Sequence, residues 1–541
     1  MSTTAAPTLR ARLRMPSVDD RRGTAIVTAL LLIGLVAISL LIRTQAISSP
    51  LWIDEGLSVG IASHPFSDIF HALREDGSPP LYYLLLHFWM EGFGRSESNT
   101  HVLSLLFALL TIPAALWAGW ALFGRRTGYV AAALAALNPF LDAYAQETRM
   151  YSLLSLLCLL ATACFVLAFV RRRRGFLIPL ALLLAAIAYT HNWGLFFDAG
   201  CALALVVVWR TAPDRRGIVR DALLCFGAAA LLYAPWVPTL VSQAQHTGAP
   251  WATRPKPRAW VQVPGNLFGG DLVSFVMLIG AGVGLWALWQ RRRQIDGRTL
   301  WVVFLVALVA ILLAWIASQI SPAWSTRYQG VVLGPLLLFA AAGLAYSRWL
   351  GVCALAFLLL WWATVPPTPS LQNKSDVDDV VAQLAPQLRP GDQVVSTQPE
   401  QVPVLYYYLP GARGLHYADA IGPVGDPQVM DWRDALDRLR ASRAATAFVP
   451  VLDRMRVGQR ILLVSPITEN PRSWRAPWTE LVRRRAAQYG GLLQGDRRFR
   501  CFAHAPSFYR YSSTVGVRGV LCEKVSPRAA RPATGRTGRR P

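Results

Sequence analysis

Leu51-Trp52-Ile53-Asp54-Glu55-Gly56 comes soon after an unbroken apolar run, Thr24 to Ile42. That run has the length of about 20 residues needed to cross a bilayer core of about 30 Å. The stretch before it is basic, with Arg10, Arg12, Arg14, Arg21 and Arg22. A cleaved leader has a shorter apolar core and a small-residue cleavage site, so the run reads as a retained first span. Asp54 and Glu55 therefore stand at the lipid–water boundary. Two adjacent carboxylates are costly there if partly buried, and one of them tends to hold a proton. A carboxylate at the membrane surface suits general-base work on a substrate whose reactive bond lies at that level. The plainer reading is a solvated helix start, where acids are favoured.

The rest of the chain repeats the first run. Of its 541 residues, 54% are hydrophobic and 16% charged, against about 25% charged in soluble domains. Further apolar runs lie at 101–122, 128–141, 150–170, 176–190, 193–209, 218–241, 272–290, 299–318, 328–346 and 349–364, which predicts eleven spans. Arg125-Arg126, Arg171 to Arg174, the group Arg210, Arg215, Arg216 and Arg220, and Arg291 to Arg293 fall in every second gap. By the positive-inside rule those gaps and the N-terminus are cytoplasmic. The gaps 43–100, 142–149, 190–193, 242–271 and 319–327, and the region after about 365, then face outward. The formal charge of +23 is concentrated in these turns and the tails. That is a membrane pattern and not a nucleic-acid face. The expected location is a bacterial plasma membrane, crossed many times. Pro79 to Phe93 is apolar but short and contains His87 and Glu91. It reads as an interfacial helix, because counting it as a span would turn Arg171 to Arg174 outward.

This topology gathers the unusual residues on one face. Asp76 opens the stiff turn Gly77-Ser78-Pro79-Pro80, followed by Tyr82, Tyr83 and His87. Aromatic residues at this level commonly form an interfacial belt. Gln146-Glu147-Thr148-Arg149-Met150-Tyr151 joins two spans by a very short connection. Glu147 and Arg149 are expensive there unless paired or functional. Glu147 suits a sugar hydroxyl, and Arg149 an acid or a phosphate. His191 sits in another tight outer turn, where a satisfied structural histidine is the default. Arg327 opens a later span from outside, and its guanidinium matches phosphate oxygens. Arg254, Lys256 and Arg258 place positive charge on the outer loop, which fits an anionic lipid donor. No GxxxxGK[ST] phosphate loop and no GxSxG elbow occurs, which argues against an ATP-driven pump or a serine hydrolase. The seven cysteines show no zinc-type spacing.

Asp54-Glu55, Asp76 with Pro79-Pro80-Leu81-Tyr82-Tyr83 and His87, Phe123-Gly124-Arg125-Arg126, and Gln146 to Tyr151 follow one another in a specific order. In these blocks the stretch from Trp52 to about Leu160 resembles the catalytic module of GT-C glycosyltransferases. It is similar to the family 39-like group that includes protein O-mannosyltransferases, the lipid A aminoarabinose transferase and rhizobial galacturonosyltransferases. The resemblance implies short surface helices after the first span and a polyprenyl-phosphate sugar donor. It implies transfer with inversion, a catalytic acid at Asp54 with Glu55 beside it, and substrate contact at Glu147. The additional motifs of true protein O-mannosyltransferases are absent.

The expected fold is thus an α-helical polytopic membrane protein of GT-C type, with about 11 transmembrane helices and interfacial helices in the first outer loop. The divisions are a basic N-terminus (1–23), the membrane domain (24–365), an extracytoplasmic α/β domain (366–525) and a disordered tail (526–541). In the α/β domain, 375–388, 401–409 and 473–489 read as helices, with Ser375 as N-cap of the first. Residues 393–397, 445–451 and 460–465 read as strands. Cys501 and Cys522 are a candidate disulfide on an oxidising face. The expected activity is an inverting glycosyltransferase that moves a sugar, mannose first, from a polyprenyl-phosphate donor to an envelope glycan, glycolipid or protein. Catalysis is assigned to Asp54 and Glu55. Substrate binding is assigned to Asp76, Tyr82, His87, Gln146, Glu147, Arg149, Tyr151, His191 and Arg327. No cofactor is required, and a divalent metal at Asp54 and Glu55 is compatible with the pattern. The alternatives are a lipid-linked sugar flippase, which calls for charges within spans and internal repeats, and a non-catalytic scaffold.

Overall fold

A computed structural model describes residues 18–409, 414–468, 474–505 and 516–525. The basic residues Arg10, Arg12 and Arg14 and the tail 526–541, expected to be disordered, lie outside them. Many large apolar side chains point away from the protein, including Leu30, Ile33, Leu223, Leu278, Ile320 and Leu360. A soluble protein hides such a surface; a helix bundle in lipid presents it to acyl chains.

The first helix, α1 (Val18–Arg43), ends in a turn that leads to three short helices, α2 (Ile53–Ala62), α3 (Phe66–Asp76) and α4 (Leu81–Phe93). At about 1.5 Å per residue each is less than about 20 Å long, too short to cross the bilayer core. Gly77 closes α3 with φ 95°, a left-handed turn that glycine adopts without strain. The bundle continues with α5 (Glu97–Phe123), α6 (Arg125–Leu137), α7 (Pro139–Ala145), α8 (Tyr151–Phe165) and α9 (Leu177–Thr190). It is completed by α10 (Gly194–Arg210), α11 (Arg215–Tyr233), α12 (Val237–His246), α13 (Val263–Phe268), α14 (Asp271–Gln290), α15 (Ile295–Ile320), α16 (Leu333–Tyr346) and α17 (Arg348–Thr364). Among the described residues, eight helices are long and apolar enough to span a membrane. The chain is therefore a multi-pass membrane protein. The other three of the eleven expected runs fold as shorter helices: α6 with 13 residues, α9 with 14 and α10 with 17. These helices are about as long as the apolar runs themselves and end at Asn138, His191 and Thr211.

Helix direction sorts the polar residues into two ends. The α8 helix starts beside Arg149, runs through the π turn Val166–Val170 and stops at Arg171. The α10 helix starts just after His191 and stops at Arg210. The arginine clusters therefore lie at the end of the bundle opposite Asp54, Glu147 and His191.

After α17 the chain forms a five-stranded sheet of β1 (Gln393–Ser396), β2 (His416–Asp419), β3 (Arg460–Pro466), β4 (Phe499–Ala505) and β5 (Val517–Lys524), in the order β2-β1-β3-β5-β4. Strand β1 pairs in parallel with β2 and β3, while β5 pairs antiparallel with β3 and β4. The Cys501–Cys522 disulfide joins directly paired positions of β4 and β5. One expected strand is wrong. Residues 445–451 form parts of two short helices, Ala444–Ala447 and Val449–Arg454. A short apolar run does not separate strand from helix, and Pro450 suits the first turn of a helix while lacking the N–H a strand needs. The helix expected at 375–388 begins at Val377, and its cap position is Asp376 rather than Ser375.

The sheet domain is packed onto the first outer loop. A Cβ placed on Gly56 would lie 2.5 Å from Val404 Cβ, so α2 and the helix Val402–Tyr408 touch with no room between them. Leu51 N–H donates to Tyr408 Oη at 2.8 Å, Trp432 N–H to Glu75 O at 2.9 Å, and His64 meets Asp426 at 2.7 Å.

Candidate active site

The first turn of α2 places two adjacent carboxylates in opposite settings. Trp52 N–H donates to Glu55 Oε2 at 3.2 Å, which fixes the first turn of the helix. Glu55 Oε1 then accepts from Thr148 N at 2.7 Å, meets His101 Nε2 at 2.7 Å and accepts from Lys374 Nζ at 3.0 Å, and Oε2 lies 2.8 Å from the same ammonium. Burial alone would raise its pKa, but Lys374 and His101 outweigh that and lower it to about 2. Glu55 is fully buried and bonded on both oxygens. It ties α2, α5, the 146–149 turn and the segment after α17 together.

Asp54 points the other way. Its Oδ2 lies 2.6 Å from Arg327 Nη1 and 4.0 Å from Arg149 Nη2. The Arg327 contact is close in distance but poor in angle, so Oδ2 remains a buried acceptor without a true hydrogen bond. The Asp54 carbonyl accepts from Ser58 Oγ at 2.9 Å and Arg149 Nη1 at 3.1 Å. Arg149 also reaches Ser58 Oγ at 2.9 Å and Tyr151 Oη at 3.5 Å. Arg327 is caged by three rings, with its guanidinium carbon 5.4 Å from the centre of Trp52, 5.0 Å from Trp251 and 5.5 Å from Tyr328. The Nε of Arg149 and of Arg327 are both buried without an acceptor. Two fixed guanidiniums with unfilled donors are chemically suited to an anion.

Unfilled acceptors surround these donors. Glu147 Oε2 and Asp76 Oδ2 are buried without hydrogen-bond partners. Burial lifts Glu147 to about 7, with Glu55 and Asp54 adding and Lys374 and Arg327 opposing. Burial likewise lifts Asp76 to about 6, against Ser78 and Arg149. His191 goes the other way: burial, then Arg149 and Arg327, push it down to about 3. It is neutral at pH 7, and its Nδ1 accepts from Trp193 N–H at 3.0 Å, so Nε2 carries the hydrogen. The His191 ring lies 4.7 Å from Tyr328 and 5.9 Å from Tyr151.

Asp54, Asp76, Glu147, Arg149, Tyr151, His191 and Arg327 thus come together around one space. Four other candidates are turned into the fold. Glu55 is one. Gln146 accepts from Ala46 N at 2.6 Å and donates to Asp142 Oδ1 at 3.0 Å. Tyr82 Oη meets Ser104 Oγ at 3.0 Å, and Ser104 in turn donates to Arg149 O, so Tyr82 braces the turn that carries Arg149. His87 Nδ1 meets Ala62 O at 2.9 Å, at the end of α2. Among the described residues no three His, Cys, Asp or Glu side chains converge as metal ligands.

Sequence reasoning missed Lys374, His101, Trp251 and Glu400. Glu400 accepts from Gln398 Nε2 and Trp478 Nε1, both at 2.9 Å. Burial raises it to about 7, and the charge on Asp54 adds to the rise, so the sheet domain brings a carboxyl within electrostatic reach of the site. None of the four lies in a motif; each arrives from another part of the chain.

The pKa of Glu147 has a testable consequence. A carboxyl raised in the folded state stabilises the fold below its unfolded value near 4.5, and that contribution is lost as pH rises through about 7. Glu147→Gln should melt with the wild type at pH 5 and about 2–4 °C above it at pH 8. A variant that melts below the wild type at pH 8 contradicts the assignment.

No family model matches the chain, and no curated protein matches it. Solved structures do. ArnT from Cupriavidus metallidurans superimposes with a TM-score of 0.63 at 15% identity, covering 94% of this chain and 100% of that one. The oligosaccharyltransferase AglB from Archaeoglobus fulgidus, solved with an inhibitory peptide and a dolichol-phosphate, gives 0.52 at 12% identity over 88% and 73%. The arabinofuranosyltransferase AftD from Mycobacteria gives 0.54 at 16% identity over 92% of this chain and 40% of that one. ArnT has also been solved bound to undecaprenyl phosphate, with a TM-score of 0.61 at 14% identity over 92% and 98%. These are membrane glycosyltransferases of the GT-C fold, and the chain shares that fold.

Proposed function

We propose that the chain is an inverting glycosyltransferase that takes a sugar from a polyprenyl-phosphate donor and passes it to an envelope acceptor on the outer face of a bacterial plasma membrane. The observation that carries this reading is the pair of guanidiniums, Arg149 and Arg327, with unfilled N–H groups beside an acid that lacks a true hydrogen bond. The lipid phosphates in the ArnT and AglB structures point to the same donor chemistry.

In this reading the donor phosphate settles between Arg149 and Arg327. It draws Arg327 off Asp54, and the carboxylate is released as a base only when donor is bound. Asp54 then takes the proton of an acceptor hydroxyl. The hydroxyl oxygen bonds to the anomeric carbon from the face opposite the phosphate, while the bond from that carbon to the phosphate oxygen breaks. Negative charge grows on the departing polyprenyl phosphate, where the two guanidiniums stabilise it. Glu147, protonated for part of the time near pH 7, holds a sugar hydroxyl, with Asp76 and His191 lining the same space. Glu55 holds the turn in place rather than touching substrate. The N-terminus is cytoplasmic, and the sheet domain supports the site from outside. Mannose is the first donor sugar to try, with arabinose next, and glycan, glycolipid and protein acceptors are all open.

The test is transfer from radiolabelled polyprenyl-phosphate sugars to a crude envelope fraction by the purified chain in vesicles. Arg327→Lys keeps the charge but loses the planar fork, and should raise the donor KM about tenfold or more. A wild-type protein that transfers no sugar from any donor in the panel overturns the reading.

A further inference from the structure

The α10 and α11 helices form an antiparallel hairpin joined by the turn Thr211–Asp214 at the end of the bundle away from Asp54. A cavity of about 660 Å³ opens there, lined by Trp209, Arg215, Arg216, Val219, Arg220, Leu223 and Leu224. Its lining follows two ridges of α11 at helical spacing, Arg215–Val219–Leu223 and Arg216–Arg220–Leu224. Both ridges pass from guanidinium at the helix end to aliphatic side chain further along the span. Leu223 and Leu224 are 71% and 63% exposed, facing outward at the depth where a bilayer holds acyl chains.

The charge around this cavity is unbalanced. Two acids lie close by, and both are engaged elsewhere. Asp221 is buried against Arg172 at 3.0 Å, Arg174 at 3.1 Å and Arg220 at 3.4 Å. Asp214 accepts from Gly217 N at 2.8 Å and pairs with Arg172 at 3.4 Å. Arg215 is held over the Trp209 ring at 5.5 Å and donates to Arg210 O at 3.0 Å. Neither Arg215 nor Arg216 forms an ion pair among the described residues. The basic turn at Arg291 to Arg293 carries comparable charge with none of its residues lining this cavity, which makes it a natural control.

We infer that the α10–α11 cleft seats an anionic phospholipid, with its phosphate against Arg215 and Arg216 and an acyl chain along Val219, Leu223 and Leu224. The charge selects an anionic headgroup, and the aliphatic ridges below it select a molecule with a chain. A soluble phosphate satisfies only the first half. This site is independent of the reaction proposed for the opposite end of the bundle. It ties together two helices, one of which begins beside His191.

The test is native mass spectrometry of the full chain, released from detergent with equal amounts of phosphatidylglycerol and phosphatidylcholine. The wild type should retain phosphatidylglycerol in preference by roughly tenfold, as expected of a few basic groups near a lipid headgroup. Arg215→Gln with Arg216→Gln should remove that preference. Leu223→Trp, which fills the cleft and keeps every charge, should lower retention as well. Arg292→Gln with Arg293→Gln should leave it intact. Melting temperature identifies any variant that fails to fold, and the second cleft variant then carries the test. Three results overturn the inference: equal retention of both lipids by the wild type, equal loss in the control, or displacement of the lipid by millimolar glycerol phosphate, which would make this a site for phosphate alone.

Discussion

Asp54→Asn should lower kcat for sugar transfer by about 10²–10⁴-fold, the usual contribution of a positioned general base. The donor KM should not rise. Asn has the size of Asp but cannot accept the proton, and the substitution frees Arg327 from its 2.6 Å partner. Arg327 then meets the donor phosphate without first leaving a carboxylate. A fall in kcat with an unchanged or lower KM is the signature of a group that acts in the transition state. Single-turnover transfer and donor titration on the same folded preparation measure both. Full activity in Asp54→Asn would remove the base from this residue, and a raised KM with normal kcat would make it a binding group.

Lys374→Met should have the largest effect on stability. It leaves the Glu55 carboxylate fully buried with His101 and Thr148 N–H but without its ammonium. Breaking a buried pair on one side costs about 3–5 kcal/mol, more than replacing both members. Lys374→Met with Glu55→Gln should therefore be more stable than Lys374→Met alone. Acid should narrow the gap between these two variants, because a proton on the buried Glu55 carboxyl removes the unpaired charge. The lowered pKa of Glu55 contributes stability above its unfolded value near 4.5, and that contribution is lost as pH falls through about 2. The wild type should lose stability over that window more steeply than the double variant. Thermal unfolding in detergent between pH 6 and pH 3 reads this out. A single variant as stable as the wild type would mean that Glu55 does not depend on Lys374.

The residues legible in the sequence were those whose chemistry conflicts with their position. Asp54, Glu147, Arg149 and Arg327 are charges at the ends of apolar runs, an expensive arrangement that marks itself, and the fold brings the four together. Neighbours in the same motifs were harder to sort. Glu55 stands next to Asp54 and Gln146 next to Glu147, yet each turns inward because successive helix-start and turn residues point in different directions. Nothing in a linear reading tells which of two adjacent acids faces the arginines. Lys374, Trp251 and Glu400 left no local signal, since their value lies in partners far along the chain. The sheet domain was read in part. Its central strands β1 and β3 are apolar runs between turns, but β2 is bounded by the polar His416 and Asp419, and β4 places the apolar Phe502 on its exposed face, which blurs its alternation.

The pairing of Glu55 with Lys374 spans 319 residues. A ribosome adding about 5–20 residues per second needs roughly half a minute to cover that distance. For that interval Glu55 lacks the ammonium that balances it in the complete chain. The tight seat of Gly56 against Val404 comes later still. The first outer loop is therefore among the first parts of the chain to be made and among the last to become rigid. A truncated or stalled chain carries Asp54 but not the framework that aims it, so on the proposed function an unfinished copy in the membrane should transfer no sugar. On the proposed function, completion of the polypeptide is the step that switches this site on.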